Sequence, residues 1–426
     1  MDYMSHPFWD RFIEFEDRFE NHDNIFKIYE RLIHMPLYRH QGYWEKFRQL
    51  ATTRPVKDLA PADLVAQFQA ELRTEYPPGT ISDIEFERAL RHRLDQYHLE
   101  IFHRVSLEVN KRWQFEEKIK RPYFHVTELD EAELVNWRKY LDYEETEGNF
   151  HRIVFLYERC LVSCALYDEF WLRFARWMYH QGENKVEDVR IIYNRASCVC
   201  VPMSRPTVRL NWARFEESLG TPDSIERAKL IYEGVLAAIG PHIETIVALA
   251  NLIRRHQGIE QALEYLEKTI NEEGGDIYLQ GCLVAEQARL LYRAKGDTKG
   301  AREFFWAKHT WYLDSRYFCI NWLEFEMNAP SIGETDEEVH LRVKKVHDVL
   351  RKDSRLSPAV LKDLSHVYMA WLLDRCSTGV AKEFMDLDKE VNGYVPYRFV
   401  ANNVSYPTAY TVRVLYSVAV LFIYVY

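Results

Sequence analysis

Five basic side chains, Lys111, Arg112, Lys118, Lys120 and Arg121, fall close together, with Trp113, Phe115, Tyr123 and Phe124 among or just beyond them. Cations at that density can neutralise phosphates, and aromatic faces beside them can stack on bases. The chemistry on offer is a contact with RNA or with an acidic protein. From Arg88 to Arg121, nine Lys or Arg stand against five Asp or Glu, an excess of four positive charges. The same stretch also reads as a solvated helix face laced with i, i+4 ion pairs, and its aromatic spacing fits helix packing. Any RNA contact has to be local, because a chain of 426 residues with a net charge of −10 cannot wrap nucleic acid over its whole surface.

Other residue types that could do chemistry argue against catalysis. There is no glycine-rich phosphate loop, HExxH, GxSxG or acidic calcium loop. Carboxylate pairs occur at Glu144 with Glu145 and at Glu216 with Glu217, at one place in a repeating pattern. A catalytic pair is expected once, so these read as bonds within or between repeats. The seven cysteines include no CxxC pair and follow no secretory signal, which indicates free thiols in a reducing compartment. Cys160 with Cys164 and Cys198 with Cys200 lack further ligands at metal spacing and read as helix packing. Histidines such as His92, His98, His103, His180 and His256 sit among helix-surface charges and read as solvated or satisfied side chains rather than ligands. No cofactor, metal or enzyme activity is expected.

The elements that must position these residues are helical hairpins. Trp137, Tyr140, Leu141 and Glu144 fall at i, i+3, i+4 and i+7 on one helix face, Gly148 supplies a left-handed stop, and Asn149 can cap the next helix. In that next helix Phe150, Val154, Tyr157 and Leu161 share a face with Ile153, Leu156 and Cys160 beside it. Such a wide stripe needs neighbours on two sides, which is the condition of an α-solenoid. The repetition follows: Gly148, Gly182, Gly220, Gly258, Gly296 and Gly333 are separated by 34, 38, 38, 38 and 37 residues. In phase with them run Trp171 with Phe174, Trp212 with Phe215, and Trp322 with Phe325, while second helices carry Tyr157, Tyr193 and Tyr232. The opening residues repeat the pattern with Trp9, Phe12 and Tyr29, and a further hairpin begins at Trp44.

The expected organisation is all-α: the end of an N-terminal array over 1–50, a linker over 51–81, a long connecting helix over 82–121, a second array over 126–393, and an atypical tail over 394–426. The linker is predicted to hold a short helix through Leu64, Phe68 and Leu72. The connecting helix should start at Ser82 or Asp83 and run for about 35 residues, or about 50 Å. Asp130 with Glu133 resembles a capping box for the second array. The units at Gly258 and Gly296 lack tryptophan, with Val247 and Ala285 in its place. Phe8, Trp9, Phe12 and Phe15 arrive without a polar cap, so preceding repeats are expected upstream. The Val- and Tyr-rich tail reads foremost as a non-native terminus, then as a strand or packed tail, and least as a membrane anchor.

The pattern of Trp, two spaced aromatics and Glu in first helices, with Tyr-Glu-Arg in second helices, resembles the half-a-tetratricopeptide (HAT) repeat. Within it, residues 137–177, LNWARFEESLG around Trp212, and FWDRFIEFE with KIYERLIHMPL near the start resemble the pre-mRNA-processing factor 39 family. The resemblance implies a nuclear, non-catalytic scaffold of the U1 small nuclear ribonucleoprotein in early 5′ splice-site recognition. It implies partners among the proteins of that particle, and self-association or pairing with a paralogous HAT protein through the C-terminal array. Contact with U1 RNA or pre-mRNA would be local, and no membrane is expected. A HAT scaffold of mRNA 3′-end processing, or a direct RNA-binding protein acting through the basic connecting helix, are the alternatives.

Overall fold

The structure, a computed structural model, describes residues 3–77, 80–272, 276–330, 333–375 and 378–393. The atypical tail therefore lies outside the described residues. Among them the chain forms nineteen α-helices and no strand, the hairpin repetition of an α-solenoid. They fall into two compact units, Met1–Phe215 and Glu216–Tyr426. The division lies inside a helix of the repeats.

In the first unit, α1 (His6–Arg18) and α2 (His22–Ile33) form a hairpin, followed by α3 (His40–Thr53), α4 (Ala62–Glu75) and the long α5 (Asp83–Glu116). The stretch expected to be a linker is packed into this unit. Val56, Leu59, Ala60, Val65 and Leu72 are buried in one core with Phe26, Trp44 and Phe47 below them and Leu90 and Leu94 of α5 alongside. The prolines mark turns, but the apolar residues between them find partners. Ser82 starts α5 with a capping box to Glu85. The helix runs 34 residues. Its Arg91 donates to the carbonyls of Ala51 and Arg54 at 2.9 and 2.6 Å, closing the end of α3.

Five further helices complete the unit: α6 (Glu131–Glu147), α7 (Phe150–Ser163), α8 (Asp168–Tyr179), α9 (Val186–Arg195) and α10 (Thr207–Ser218), the last crossing the boundary. Gly148 ends α6 at φ 75°, and Asn149 caps α7 by accepting from the Arg152 amide. Asp130 makes no side-chain cap, and Glu133, which would complete the box, accepts from the Arg121 amide at 3.2 Å. Between α9 and α10 the chain makes a π-helical turn, Ala196–Cys200. Buried Arg209 donates to the carbonyls of Ser197, Val201 (2.8 Å), Pro202 (3.1 Å) and Arg205 (3.3 Å), satisfying groups that this turn leaves open.

The second unit continues with α11 (Pro222–Ile239), α12 (Ile243–His256), α13 (Ile259–Glu272), α14 (Ile277–Arg293), α15 (Thr298–Tyr312), α16 (Arg316–Asn328), α17 (Asp336–Asp353), α18 (Pro358–Leu372) and α19 (Val380–Asn392). One core runs from Ile246 to Leu387 and includes Ala285, Phe305, Trp322 and Tyr368. At the repeats without tryptophan Ala285 is fully buried in this core and Val247 is partly buried against it.

Candidate functional site

The end of α5 is fastened to the α6–α7 hairpin by charge. Arg112 is buried: Nε and Nη2 donate to Glu144 at 2.5 and 3.2 Å, and Nη1 donates to Glu108 Oε2 at 2.7 Å. Burial disfavours its charge, but the hydrogen bonds to Glu144 and Glu108 outweigh that and hold the guanidinium pKa above its ordinary value. Glu116 accepts from Tyr140 Oη at 2.9 Å and from both ends of the Arg159 guanidinium. Burial first, and then the Glu116 charge, push the Tyr140 hydroxyl pKa up. Phe115 stacks on Tyr140 with centroids 4.9 Å apart, and Asn136 Nδ2 donates to the Phe115 carbonyl at 2.9 Å.

This geometry divides the expected basic contact. Arg112 is withdrawn from the surface, because the repeat delivers Glu144 to it. Phe115 is stacked and unavailable to a base. Lys111 is half-exposed and shared between Glu108 at 3.2 Å and Glu147 at 3.8 Å. Arg121 is partly exposed and donates to Thr127 Oγ1 at 2.8 Å and Thr127 O at 2.9 Å. Lys118 and Lys120 remain at the surface, and Lys120 has only Asp130 near it, at 3.8 Å. Tyr123 and Phe124 are 59% and 52% exposed, whereas Trp113 is stacked on Tyr38 with centroids 5.4 Å apart.

The repeat-defining residues pack. Trp9, Trp44, Trp137, Tyr140, Tyr157, Trp171, Phe174, Tyr193, Phe215, Tyr232, Trp322 and Phe325 are buried, while Phe12, Tyr29 and Trp212 are partly buried. Gly182, Gly220, Gly258, Gly296 and Gly333 share the positive φ of Gly148. The recurring arginine of the second helices has a role that spacing did not reveal. Arg31 lies over the Trp9 ring at 5.4 Å, Arg159 over Trp137 at 5.9 Å and Arg195 over Trp171 at 5.5 Å. The repeat thus carries its own cation–π contact. Successive repeats are joined by Tyr157 stacked on Phe174 at 4.6 Å and Tyr193 on Trp212 at 6.4 Å. Glu145 accepts from Tyr157 Oη and from Arg173 Nε at 3.0 Å, and Glu158 takes Arg195 at 2.7 and 2.8 Å. In the second unit Glu217 holds Arg255 at 2.6 and 2.7 Å, and Glu326 sits between Arg302 and Arg342.

Not every histidine is solvated. His98 is buried against the rings of Phe47 and Tyr97, and burial pushes its pKa down to about 4. His40, His340 and His347 are also buried, while His92, His103, His180 and His256 are exposed. Cys160 and Cys164 are fully buried, and burial raises the Cys160 thiol pKa. Burial likewise pushes Cys282 and Cys319 up to about 12, so neither is a reactive thiolate. Among the described residues no cluster of His, Cys, Asp or Glu is placed to hold a metal, and no helix is long and apolar enough to cross a membrane.

Hairpins whose signature residues are used in packing, in phase from Trp9 to Phe325, define a helical-repeat protein of the HAT class. Residues 110–255 match the family model for the PRP39 C-terminal HAT repeat, and residues 1–49 match the PRP39 N-terminal HAT repeat. The chain is 42% identical to Schizosaccharomyces pombe Pre-mRNA-processing factor 39 over 92% of its own length and 66% of that protein's. It is 33% identical to the Homo sapiens Pre-mRNA-processing factor 39 over 84% of its length and 55% of that protein's. A shorter match, 30% identical over 33% of this chain and 19% of the other, links it to Arabidopsis thaliana Cleavage stimulation factor subunit 77. The chain belongs to the pre-mRNA-processing factor 39 family, a non-enzymatic HAT-repeat family, and spans between half and two thirds of these two factor 39 relatives.

Proposed function

We propose that this chain is a non-catalytic scaffold of pre-mRNA splicing, acting in the nucleus within the U1 small nuclear ribonucleoprotein at early 5′ splice-site recognition. Its repeats hold partner proteins of that particle, and the array ending near residue 393 pairs with a second copy or with a paralogous HAT protein. The observation that carries this reading is the relationship to the Schizosaccharomyces pombe Pre-mRNA-processing factor 39 over 92% of the chain. The packing supports it: the shared motif residues lie between helices, which leaves recognition to the side chains on the outside of the hairpins. A place in mRNA 3′-end processing draws support from the cleavage-factor relative, but that match covers only 33% of the chain.

The test is a tagged pull-down from nuclear extract, with RNA sequencing and mass spectrometry before and after nuclease treatment. Enrichment of U1 RNA and its proteins, with the proteins retained after nuclease, is the expected result. Recovery of cleavage factors instead would transfer the chain to 3′-end processing.

A further inference from the structure

The segment joining α5 to α6 combines features that neither helix packing nor the scaffold reading uses. From Lys118 to Thr127 it holds three cations, Lys118, Lys120 and Arg121, and no carboxylate, in a chain of net charge −10. Among the described residues Lys118 has no carboxylate at ion-pair distance, and Lys120 meets only Asp130 at 3.8 Å, with both side chains of that pair 75% exposed. Beside these cations Tyr123, Phe124 and Val126 are 59%, 52% and 72% exposed, and neither ring stacks on another among the described residues. What sets these rings apart from other exposed apolar side chains of the chain is that they stand next to a run of cations without a carboxylate.

The segment is nonetheless held. Arg121 spans to Thr127 through Oγ1 and the carbonyl, His125 Nδ1 accepts from the Thr127 amide at 3.1 Å, the Arg121 amide is taken by Glu133, and the Leu129 amide donates to Tyr167 Oη at 2.7 Å. Both ends and the middle are fixed, while among the described residues the two rings stack on no other ring, Lys118 has no carboxylate at ion-pair distance and Lys120 meets only the exposed Asp130. A fixed platform loses little entropy when a ligand arrives.

We infer that residues 118–126 form a contact for single-stranded RNA, with Lys118 and Lys120 on phosphates and Tyr123 and Phe124 stacked on neighbouring bases. Single-stranded nucleic acid is the ligand class that satisfies cations and bare ring faces together, since every base offers a π-face and every linkage a charge. The inference does not depend on the splicing assignment, because it concerns the purified chain alone. Its residues are a part of those that the sequence offered: Lys118, Lys120, Tyr123 and Phe124 remain, while Arg112 and Phe115 are taken up by packing.

The experiment is fluorescence anisotropy of the purified full chain with a labelled ten-nucleotide oligouridylate, and with an RNA duplex, at several salt concentrations. Binding to the single strand is expected to weaken with salt, and K118Q/K120Q should flatten the slope of log K against log salt by about 1.4, the value for two phosphates. Y123A/F124A should weaken binding by about tenfold per ring, and Y123F/F124Y should restore it. K268Q, on the exposed face of α13, serves as a control that leaves binding unchanged. All four positions of the proposed contact are at the surface, so circular dichroism and melting of these variants should match the parent. Absence of binding, equal affinity for the duplex, or indifference to both pairs of substitutions overturns the inference. So does a nuclear pull-down in which the same variants lose partner proteins after nuclease but bind the oligouridylate normally, since that makes the segment a protein contact. If the RNA experiment fails while U1 components are still recovered, the scaffold reading stands without this contact.

Discussion

Arg159 closes on Glu116 with both ends of its guanidinium, Nη1 to Oε1 at 2.6 Å and Nη2 to Oε2 at 2.7 Å. The pair joins residues 43 apart and ties the last turn of α5 to α7, while Arg112 with Glu144 ties the preceding turn to α6. One bond sends an acid from α5 to a base on the hairpin, and the other sends a base to an acid. The connecting helix is thereby fixed in rotation as well as position, because turning it would break both at once.

Removal of one partner should cost far more than removal of both. The side chains of Glu116 and Arg159 are 2% and 15% exposed, so R159A strands a buried carboxylate whose other donor is Tyr140. A loss of roughly 3–5 kcal/mol is expected in urea unfolding. The double replacement E116L/R159M keeps volume without charge and should recover most of that loss. Equal destabilisation by R159A and by the double replacement would show that the pair is not the fastening.

Acid should weaken each unit through its buried histidines, His98 and His347 foremost. Burial pushes His98, in the first unit, and His347, in the second, from 6.5 down to about 4; the charges of His34 and Arg351 respectively add to the effect, while Glu383 and Glu390 oppose it at His347. Between about 4 and 6.5 the unfolded chain binds a proton that the folded form refuses. The stabilisation is therefore complete above the unfolded pKa and is lost as pH falls through 6.5 towards 4, at roughly 3 kcal/mol per histidine. Glu217 works lower on the scale: burial opposes its charge, yet Arg255 and His256 hold its pKa below the ordinary carboxylate value, so its contribution is lost only in stronger acid. Urea unfolding from pH 7.5 to 5 should show the fall, and H98Q and H347Q should each flatten it. An unchanged slope in H347Q would mean that this imidazole binds its proton equally well in the folded and the unfolded chain.

How far the sequence reaches depends on which forces are local. The hairpins were legible because glycine, tryptophan and tyrosine recur in phase, and each acts within its own repeat or the next. Arg112 was not legible. Its neighbour Glu108 stands at i−4, the spacing of a solvated surface pair, whereas the residue that buries it, Glu144, arrives only when α6 packs. In the stretch over 51–81 the prolines signal turns locally, while the burial of Val56, Leu59 and Leu72 depends on helices before and after it. Tyr123 and Phe124 were visible as residue types, but only packing shows that Phe115 and Trp113 are engaged and these two are not.

Glycine substitutions should separate by backbone geometry alone. Gly148 sits at φ 75° with nothing within 4 Å of an added Cβ, so G148A meets no clash and pays only for left-handed backbone, about 1 kcal/mol. Gly234 lies inside α11 with the same open surroundings but helical backbone, so G234A should stabilise by about 0.5–1 kcal/mol. Gly281 differs from both. A Cβ there would come within 2.5 Å of the Ser315 Cβ, and Ser315 is buried and caps α16 by accepting from the Phe318 amide, so it cannot give way; G281A should lose about 1–3 kcal/mol. Glu20, at φ 55°, occupies the left-handed turn between α1 and α2 where the other hairpins use glycine, and E20G should gain up to about 1 kcal/mol. Melting temperatures of the four variants are expected in the order G281A, G148A, parent, with G234A and E20G above it. Destabilisation by G234A together with neutrality of G148A would contradict the turn geometry on which the repeat rests.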